Sequence, residues 1–329
     1  MRRILKKFVG GASLLAALML TQAQAEEAPL SVLNFGIIST ESQQNLKQHW
    51  APFLADMEQQ LGVEVKAFFA PDYAGIIQGM RFNKVDIAWL GNKSAMEAVN
   101  RSGGEVFAQT VGANGEAGYW SLLIAHKDSP LNSLEDVLAQ RTDLIFGNGD
   151  PNSTSGFLVP SYYVLAQNQA TAQEFKRTVN ASHEVNIFAV LNKQVDVATN
   201  NTENLARFAQ HSGEKVKDIK VLWKSPLIPA DPIVWRKNLP AATKEVVYDF
   251  FMKYGQSDNA QQKDILAGLQ WASFTPSSDL QLLPIRQLQL FKDLQELENN
   301  EAAAADIAQL KMELAALDRQ MSALAAMTH

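Results

Sequence analysis

Apolar positions alternate with polar ones or run together from Ser31 to Ile38, which predicts a strand. Helix spacing then covers Ser42 to Leu61, with Gly62 as its stop, and Val63 to Phe69 predicts a second strand. A short helix over Ile76–Phe82 leads into a buried strand at Val85–Leu90. The same alternation starts again at Tyr119, with strands at Tyr119–His126, Leu144–Gly147 and Asp196–Thr199 and helices at Ser133–Arg141 and about Ser153–Gln167. Strand–helix–strand, repeated, implies a parallel-rich α/β sheet in each half, with ligands at the carboxyl ends of the strands. Asn83-Lys84-Val85-Asp86-Ile87-Ala88 echoes Asn192-Lys193-Gln194-Val195-Asp196-Val197-Ala198, and each copy sits where a short helix gives way to a strand. Two similar α/β lobes follow from that echo.

Between Trp223 and Val234 three prolines, at 226, 229 and 232, forbid a helix and favour an extended crossing. The chain is therefore expected to build a first lobe over 26–118, a second over 119–224, and to return to the first over 225–300. Two crossings make a hinge. Helices are expected at 241–254 and 260–268. The tail, 301–329, is rich in Ala, Leu and Glu, and Ile307, Leu310, Leu314, Leu317, Met321 and Leu324 recur at spacings of three and four. That stripe suits either a coiled-coil seam joining two subunits in a homodimer or an amphipathic helix packed on its own lobe.

Composition narrows the chemistry. The chain has 329 residues, no cysteine, and 29 Lys+Arg against 35 Asp+Glu. Thiolate metal sites, disulfides and cysteine nucleophiles are excluded, and no basic cluster in the body of the chain suits a nucleic-acid backbone. The basic residues that do cluster are Arg2, Arg3, Lys6 and Lys7, ahead of an apolar run from Phe8 to Leu20 and the small-x-small exit Ala23-Gln24-Ala25. This is the pattern of a cleaved secretory signal over 1–25. Its removal leaves 25 Lys+Arg against 35 Asp+Glu in an exported, periplasmic chain. His-Glu-x-x-His, Gly-x-Ser-x-Gly and Gly-x-Gly-x-x-Gly motifs are all absent, and the five histidines have no metal-ligand spacing. An enzyme is not expected, nor a cofactor.

The most informative stretch is Gly147 to Gly156. A Gly/Asn/Pro turn follows a strand and delivers Ser153-Thr154-Ser155 to the start of a helix, where free N–H groups and the positive end of the dipole favour a tetrahedral oxyanion. One hydroxyl would suffice for capping. The Gly-Lys-Ser/Thr ending of a nucleotide-binding loop is missing. Asp231, held between prolines in the crossing, is a candidate carboxylate at the cleft. His183, Glu203, Tyr73 and Tyr119 are candidates of lower specificity, each with an ordinary structural alternative.

Asn34–Ser42, Phe69–Phe82, Phe146–Pro160, Asp196–Asn204 and Ser225–Asn238 resemble the binding segments of the periplasmic phosphonate-binding proteins of ABC importers, and the likeness extends over nearly all of the exported chain. The resemblance implies a two-lobed, type II solute-binding fold that closes on a phosphonate, most typically 2-aminoethylphosphonate, and delivers it to a permease with its ATPase subunit. It puts the phosphonate oxygens on Ser153, Thr154, Ser155, Tyr73 and His183, and the ammonium near Glu203, Asp231 and Tyr119. The same fold could bind phosphate, phosphite or another alkylphosphonate, and a periplasmic phosphonate or phosphate-ester hydrolase is the alternative from a different class. The sequence departs from the family pattern at Leu90, where a tyrosine is expected, and at Val185, Ile187 and Phe188, which replace smaller or more polar residues. The organic end of the pocket is expected to differ accordingly.

Overall fold

The computed structural model describes residues 30–113, 115–300 and 303–327. The expected secretory signal at 1–25 lies outside them. The first half runs β1 (Val32–Ile37), α1 (Gln43–Leu61), β2 (Glu64–Phe69), α2 (Tyr73–Arg81), β3 (Ile87–Trp89), α3 (Asn92–Arg101) and β4 (Gly104–Gly112). Ser42 caps α1 by accepting from the Asn45 N–H, and Gly62 closes it in the left-handed region at φ 67°. Helix α2 begins three residues before the sequence pattern suggests, because the Asp72 carboxylate accepts from the Gly75 N–H and caps it there.

A short strand, β5 (Gly118–Tyr119), precedes the second half: β6 (Ser121–His126), α4 (Leu134–Gln140), β7 (Ile145–Asn148), β8 (Arg177–Asn180), α5 (His183–Leu191), β9 (Val197–Asn201), α6 (Thr202–Ser212) and β10 (Ile219–Lys224). The chain then returns through β11 (Ile228–Pro229) and β12 (Pro232–Arg236) to α7 (Ala241–Lys253), α8 (Ala260–Gly268), β13 (Trp271–Pro276), α9 (Leu283–Asn299) and α10 (Ala304–Met327). The single helix expected over 153–167 is wound differently. Thr154–Leu158 and Ser161–Leu165 are π-helical, and the Leu158 N–H donates to the Ser153 carbonyl at 3.1 Å. Such wide turns recur at functional sites.

Two sheets result. One has six strands in the order β13-β4-β12-β3-β1-β2, the other five in the order β10-β6-β9-β7-β8. Each is parallel on one side (β3-β1-β2 and β9-β7-β8) and antiparallel on the other, so both are mixed rather than parallel-rich, with two parallel and three antiparallel pairings in the first and two of each in the second. The returning strand β12 causes this in the first sheet, entering between β3 and β4 against both. The two crossings meet each other: β5 pairs antiparallel with β11, Tyr119 opposite Ile228 and Gly118 opposite Pro229. A Cβ on Gly118 would lie 1.9 Å from the Ile228 carbonyl oxygen, so only glycine allows the two crossings to touch.

The internal echo is a structural repeat with a shifted register. Asn83 and Lys193, not Asn83 and Asn192, are the equivalent residues, both left-handed at φ 54°. After each, two N–H groups return to one carbonyl, Lys84 and Val85 to Gly79, Gln194 and Val195 to Ala189. Asp86 and Asp196 then grip the neighbouring strand through Asn34 N–H at 2.8 Å and Ile145 N–H at 2.7 Å. Leu90 is fully buried in the first core with Phe35, Trp50, Phe53 and Trp89. Leu314 and Leu317 of α10 are buried too; the helix lies along α9, where Lys311 meets Glu298 at 2.8 Å. Two of the six stripe residues are thus packed within one chain, and the other four are half-buried.

Candidate functional site

Both sheets send loops into one small, narrow cavity. Tyr73, Tyr119, Ser153, Thr154, Ser155, His183, Glu203 and Asp231, all eight candidates from the sequence, line it together. Seven of them are buried, while Glu203 keeps partial exposure. The helix starts converge here: Tyr73 opens α2, Gly91 caps α3, Thr154 opens the π-wound helix, His183 opens α5 and Asn201 caps α6. Five positive dipole ends around one small space make a strongly anion-favouring environment.

The three hydroxyls at 153–155 each accept a hydrogen bond from nitrogen. Ser153 Oγ takes the Gly156 N–H at 3.0 Å, Thr154 Oγ1 takes the Lys93 N–H at 2.8 Å, and Ser155 Oγ takes the Asn201 amide at 3.0 Å. With an N–H already donated to it, each oxygen keeps its own proton to give away. The turn that holds them depends on Gly149, whose N–H donates to the Gly156 carbonyl at 2.9 Å; a Cβ there would come within 2.5 Å of the Gly156 backbone. His183 Nε2 lies 3.4 Å from both Ser153 Oγ and the Asn201 amide. Burial, with Arg207 nearby, holds its pKa down at about 4, so the ring is neutral at pH 7.

Carboxylates occupy the rest of the cavity. Asp231 Oδ1 accepts from the Tyr119 hydroxyl at 2.9 Å. Burial raises the pKa of Asp231 well above the usual carboxylate range and the Glu203 charge raises it further, while Glu203 itself is pushed up by burial against the pull of Arg207. Two carboxyls sharing a dry space therefore retain protons that free carboxyls would lose. Burial and the Asp150 and Asp231 charges push the Tyr73 phenol up, and burial with Asp231 does the same for Tyr119, so both stay protonated donors. A Cβ on Gly91 would sit 3.2 Å from Thr154 Oγ1 and 3.9 Å from Asp231 Oδ1, between the hydroxyl wall and the carboxyl pair.

Thr40, Trp89, Asn201 and Arg207 also line the cavity and were not singled out from the sequence. Among the described residues Thr40 Oγ1 is buried without a hydrogen-bond partner, and Trp89 lies beside Asp231 and opposes the rise of its pKa. Asn201 lay inside the motif around Glu203 and is recognisable as the cap between a buried strand and α6. Val185, Ile187, Phe188 and Leu90 do not line the cavity: Val185 and Phe188 are exposed on α5, and Ile187 and Leu90 are packed in cores. The expected change at the organic end of the pocket therefore has no basis in these four residues. Among the described residues no cluster of three His, Asp or Glu could hold a metal ion, and no helix is long and apolar enough to cross a membrane.

Residues 35–282 match the family described as ABC transporter, phosphonate, periplasmic substrate-binding protein. The chain is 63% identical over 315 residues to the phosphonates-binding periplasmic protein of Escherichia coli K12, covering 94% of this chain and 92% of that one. Among solved structures it is similar to the binding protein component of an ABC phosphonate transporter from Pseudomonas aeruginosa, at 62% identity and a TM-score of 0.87 over 90% of this chain and 99% of that one. PhnD1 of Prochlorococcus marinus in complex with methylphosphonate shares the fold at 23% identity, with a TM-score of 0.71 over 80% of this chain and 99% of that one.

Proposed function

The chain belongs to the family of periplasmic substrate-binding proteins of phosphonate ABC transporters, and from that premise we propose that its cavity captures 2-aminoethylphosphonate as a zwitterion. Members of this family are receptors, not enzymes: they bind phosphonate in the periplasm for an ABC transporter. The observation that carries the finer reading is the pairing, in one cavity, of three proton-bearing hydroxyls at a helix start with two carboxyls whose pKa values are raised.

In this reading the phosphonate oxygens accept from Ser153, Thr154 and Ser155, from the Tyr73 phenol and from His183, within the field of the surrounding helix starts. The ammonium lies between Glu203 and Asp231 beside Tyr119. Its charge favours full ionisation of the pair, so the proton that the two carboxyls share leaves as the amine enters. A ligand without the amine leaves that pair unrelieved, which is why an aminoalkyl chain suits this cavity better than a bare alkyl group. Closure occurs by rotation about the β5–β11 crossings, with 26–118 and 225–300 as one lobe and 119–224 as the other. A cleaved signal over 1–25 exports the chain. A homodimer through the C-terminal helix belongs to the same proposal, the half-buried Ile307, Leu310, Met321 and Leu324 of α10 being the apolar surface a second copy would cover.

Calorimetric titration against 2-aminoethylphosphonate, ethylphosphonate, methylphosphonate, phosphate and phosphite tests the ligand assignment. Tightest binding of the aminoalkyl compound, with its phosphorus resonance chemically unchanged after incubation, is expected. Tighter binding of phosphate or phosphite overturns it.

A further inference from the structure

Four ionisable side chains, of which only Arg207 also lines the cavity, meet at its outer edge. Glu41 follows β1 and His49 lies on α1, both in the first half; Arg207 and His211 lie on α6, in the second. Arg207 Nε donates to Glu41 Oε1 at 2.8 Å, with both side chains 8% exposed. Glu41 Oε2 is 3.1 Å from His49 Nδ1, His49 Nε2 is 3.1 Å from His211 Nε2, and His211 Nδ1 is 2.8 Å from the Arg207 carbonyl oxygen. Glu184 of α5, the other charged group on this face, is occupied by the Ser42 N–H and the Asn45 amide. Glu203, Arg207 and His211 stand on successive turns of α6, so one face of that helix runs from the Glu203 carboxyl in the cavity to this cluster.

We propose that Glu41, His49, Arg207 and His211 form a clasp that locks the two halves over the ligand, and that it locks with one proton held between the two histidines. Proton counting carries the argument. A carbonyl only accepts, so His211 Nδ1 bears a hydrogen; a carboxylate only accepts, so His49 Nδ1 bears one as well. The Nε2–Nε2 contact then needs a single hydrogen. With none, two lone pairs face each other across 3.1 Å; with two, N–H faces N–H. Opened, the two imidazoles exchange protons with solvent, and on either side of the midpoint at which the pair holds that single hydrogen it holds too few or too many. Closure thus takes up a proton on the alkaline side and releases one on the acid side, so the clasp strengthens ligand binding most near the midpoint. If only the singly protonated pair can close, the gain falls roughly eightfold at about 1.5 pH units from the midpoint. Burial opposes ionisation of Glu41, but His49 and Arg207 outweigh it and bring its pKa down to about 2, which keeps the carboxylate charged throughout.

The clasp acts on capture through closure, so these are positioning residues and their signature is a pH profile. The affinity of wild type for 2-aminoethylphosphonate, divided by that of His211→Gln, is measured from pH 5 to 8; the quotient cancels titration of the ligand itself. A bell-shaped quotient with its maximum inside that range, falling several-fold to one side of it, is expected, with the same bell against His49→Gln. A flat quotient with intact binding overturns the clasp. The test rests on the functional reading only through its probe. If wild type binds no phosphonate, that reading fails, and the imidazole nitrogen resonances decide the clasp: His49 and His211 must titrate as one coupled pair, and two independent titrations overturn it.

Discussion

Tyr73 and His183 hold the same position in the two halves of the molecule. Each is the first residue of a nine-residue helix, each stands directly behind a capping side chain, Asp72 or Ser182, that accepts from the third N–H of the helix, and both line the cavity. The repeat that fixes Asn83 and Lys193 as equivalents fixes this pair too. One half delivers a phenol that keeps its proton, the other an imidazole that stays neutral. A repeated helix start thus brings two different uncharged polar groups to one cavity, which Arg207 also lines.

His183 makes the fold itself sensitive to acid. Its folded pKa of about 4 lies below the ordinary 6.5, so its contribution to stability is complete above about pH 6.5 and drains away as pH falls toward 4. The loss should be on the order of 3 kcal/mol. Urea unfolding of wild type and His183→Gln at pH 7.5 and 4.5 checks this: the variant should lose distinctly less stability on acidification, and equal losses would dismiss the buried neutral ring as the cause.

Thr154→Ala removes a hydroxyl that the proposed pose puts on a phosphonate oxygen and also frees the Lys93 N–H that Thr154 Oγ1 accepts from α3, a bond between the two halves. Losing a hydrogen bond to a charged group costs roughly 1.5–3 kcal/mol, or about a 10- to 150-fold weaker dissociation constant. Titration calorimetry with 2-aminoethylphosphonate reads it directly. An unchanged constant would remove Thr154 from the site.

Much of this was legible in the chain and some could not be. The strands and helices from β1 to β3 follow from periodicity, and the Gly147–Gly156 turn announces itself through residue types that only an exacting loop needs. Helix α3 escaped notice because Asn92, Lys93 and Ser94 are buried along with Ala95 and Met96, which erases any polar face. The π winding after Ser153 leaves no mark in composition. Arg207 looks like a solvated charge on α6 until Glu41 arrives from the far side of the cleft, a contact 166 positions away in sequence. Pairings made by tertiary closure have no local signal.

Closure about the crossings should be visible in solution. Lys224 Nζ sits 3.7 Å over the Trp120 ring, beside β5 and β10, and Trp223 lies near Tyr163, so hinge rotation alters the surroundings of both indoles. Saturating ligand should shift tryptophan emission and lower the radius of gyration slightly. An identical scattering profile with and without ligand would leave no role for the β5–β11 crossings as a hinge.

Glu203→Gln separates recognition of the amine from shaping of the pocket. The substitution keeps the side chain's size and removes the carboxyl whose charge raises the pKa of Asp231. For 2-aminoethylphosphonate the loss should be a few kcal/mol at most, the range for removing one partner of a buried charge pair, while the proton released on binding, counted by calorimetry in buffers of different ionisation enthalpy, should shrink. Ethylphosphonate has no ammonium to place beside the pair, so for it the same change should be neutral or favourable, since it takes an unrelieved carboxyl out of the cavity. The quantity that decides is the ratio of the two affinities in wild type and variant under one buffer. If both ligands weaken equally, Glu203 supports the closed form rather than reading the amine, and the aminoalkyl assignment fails even though the phosphonate wall at Ser153–Ser155 stands.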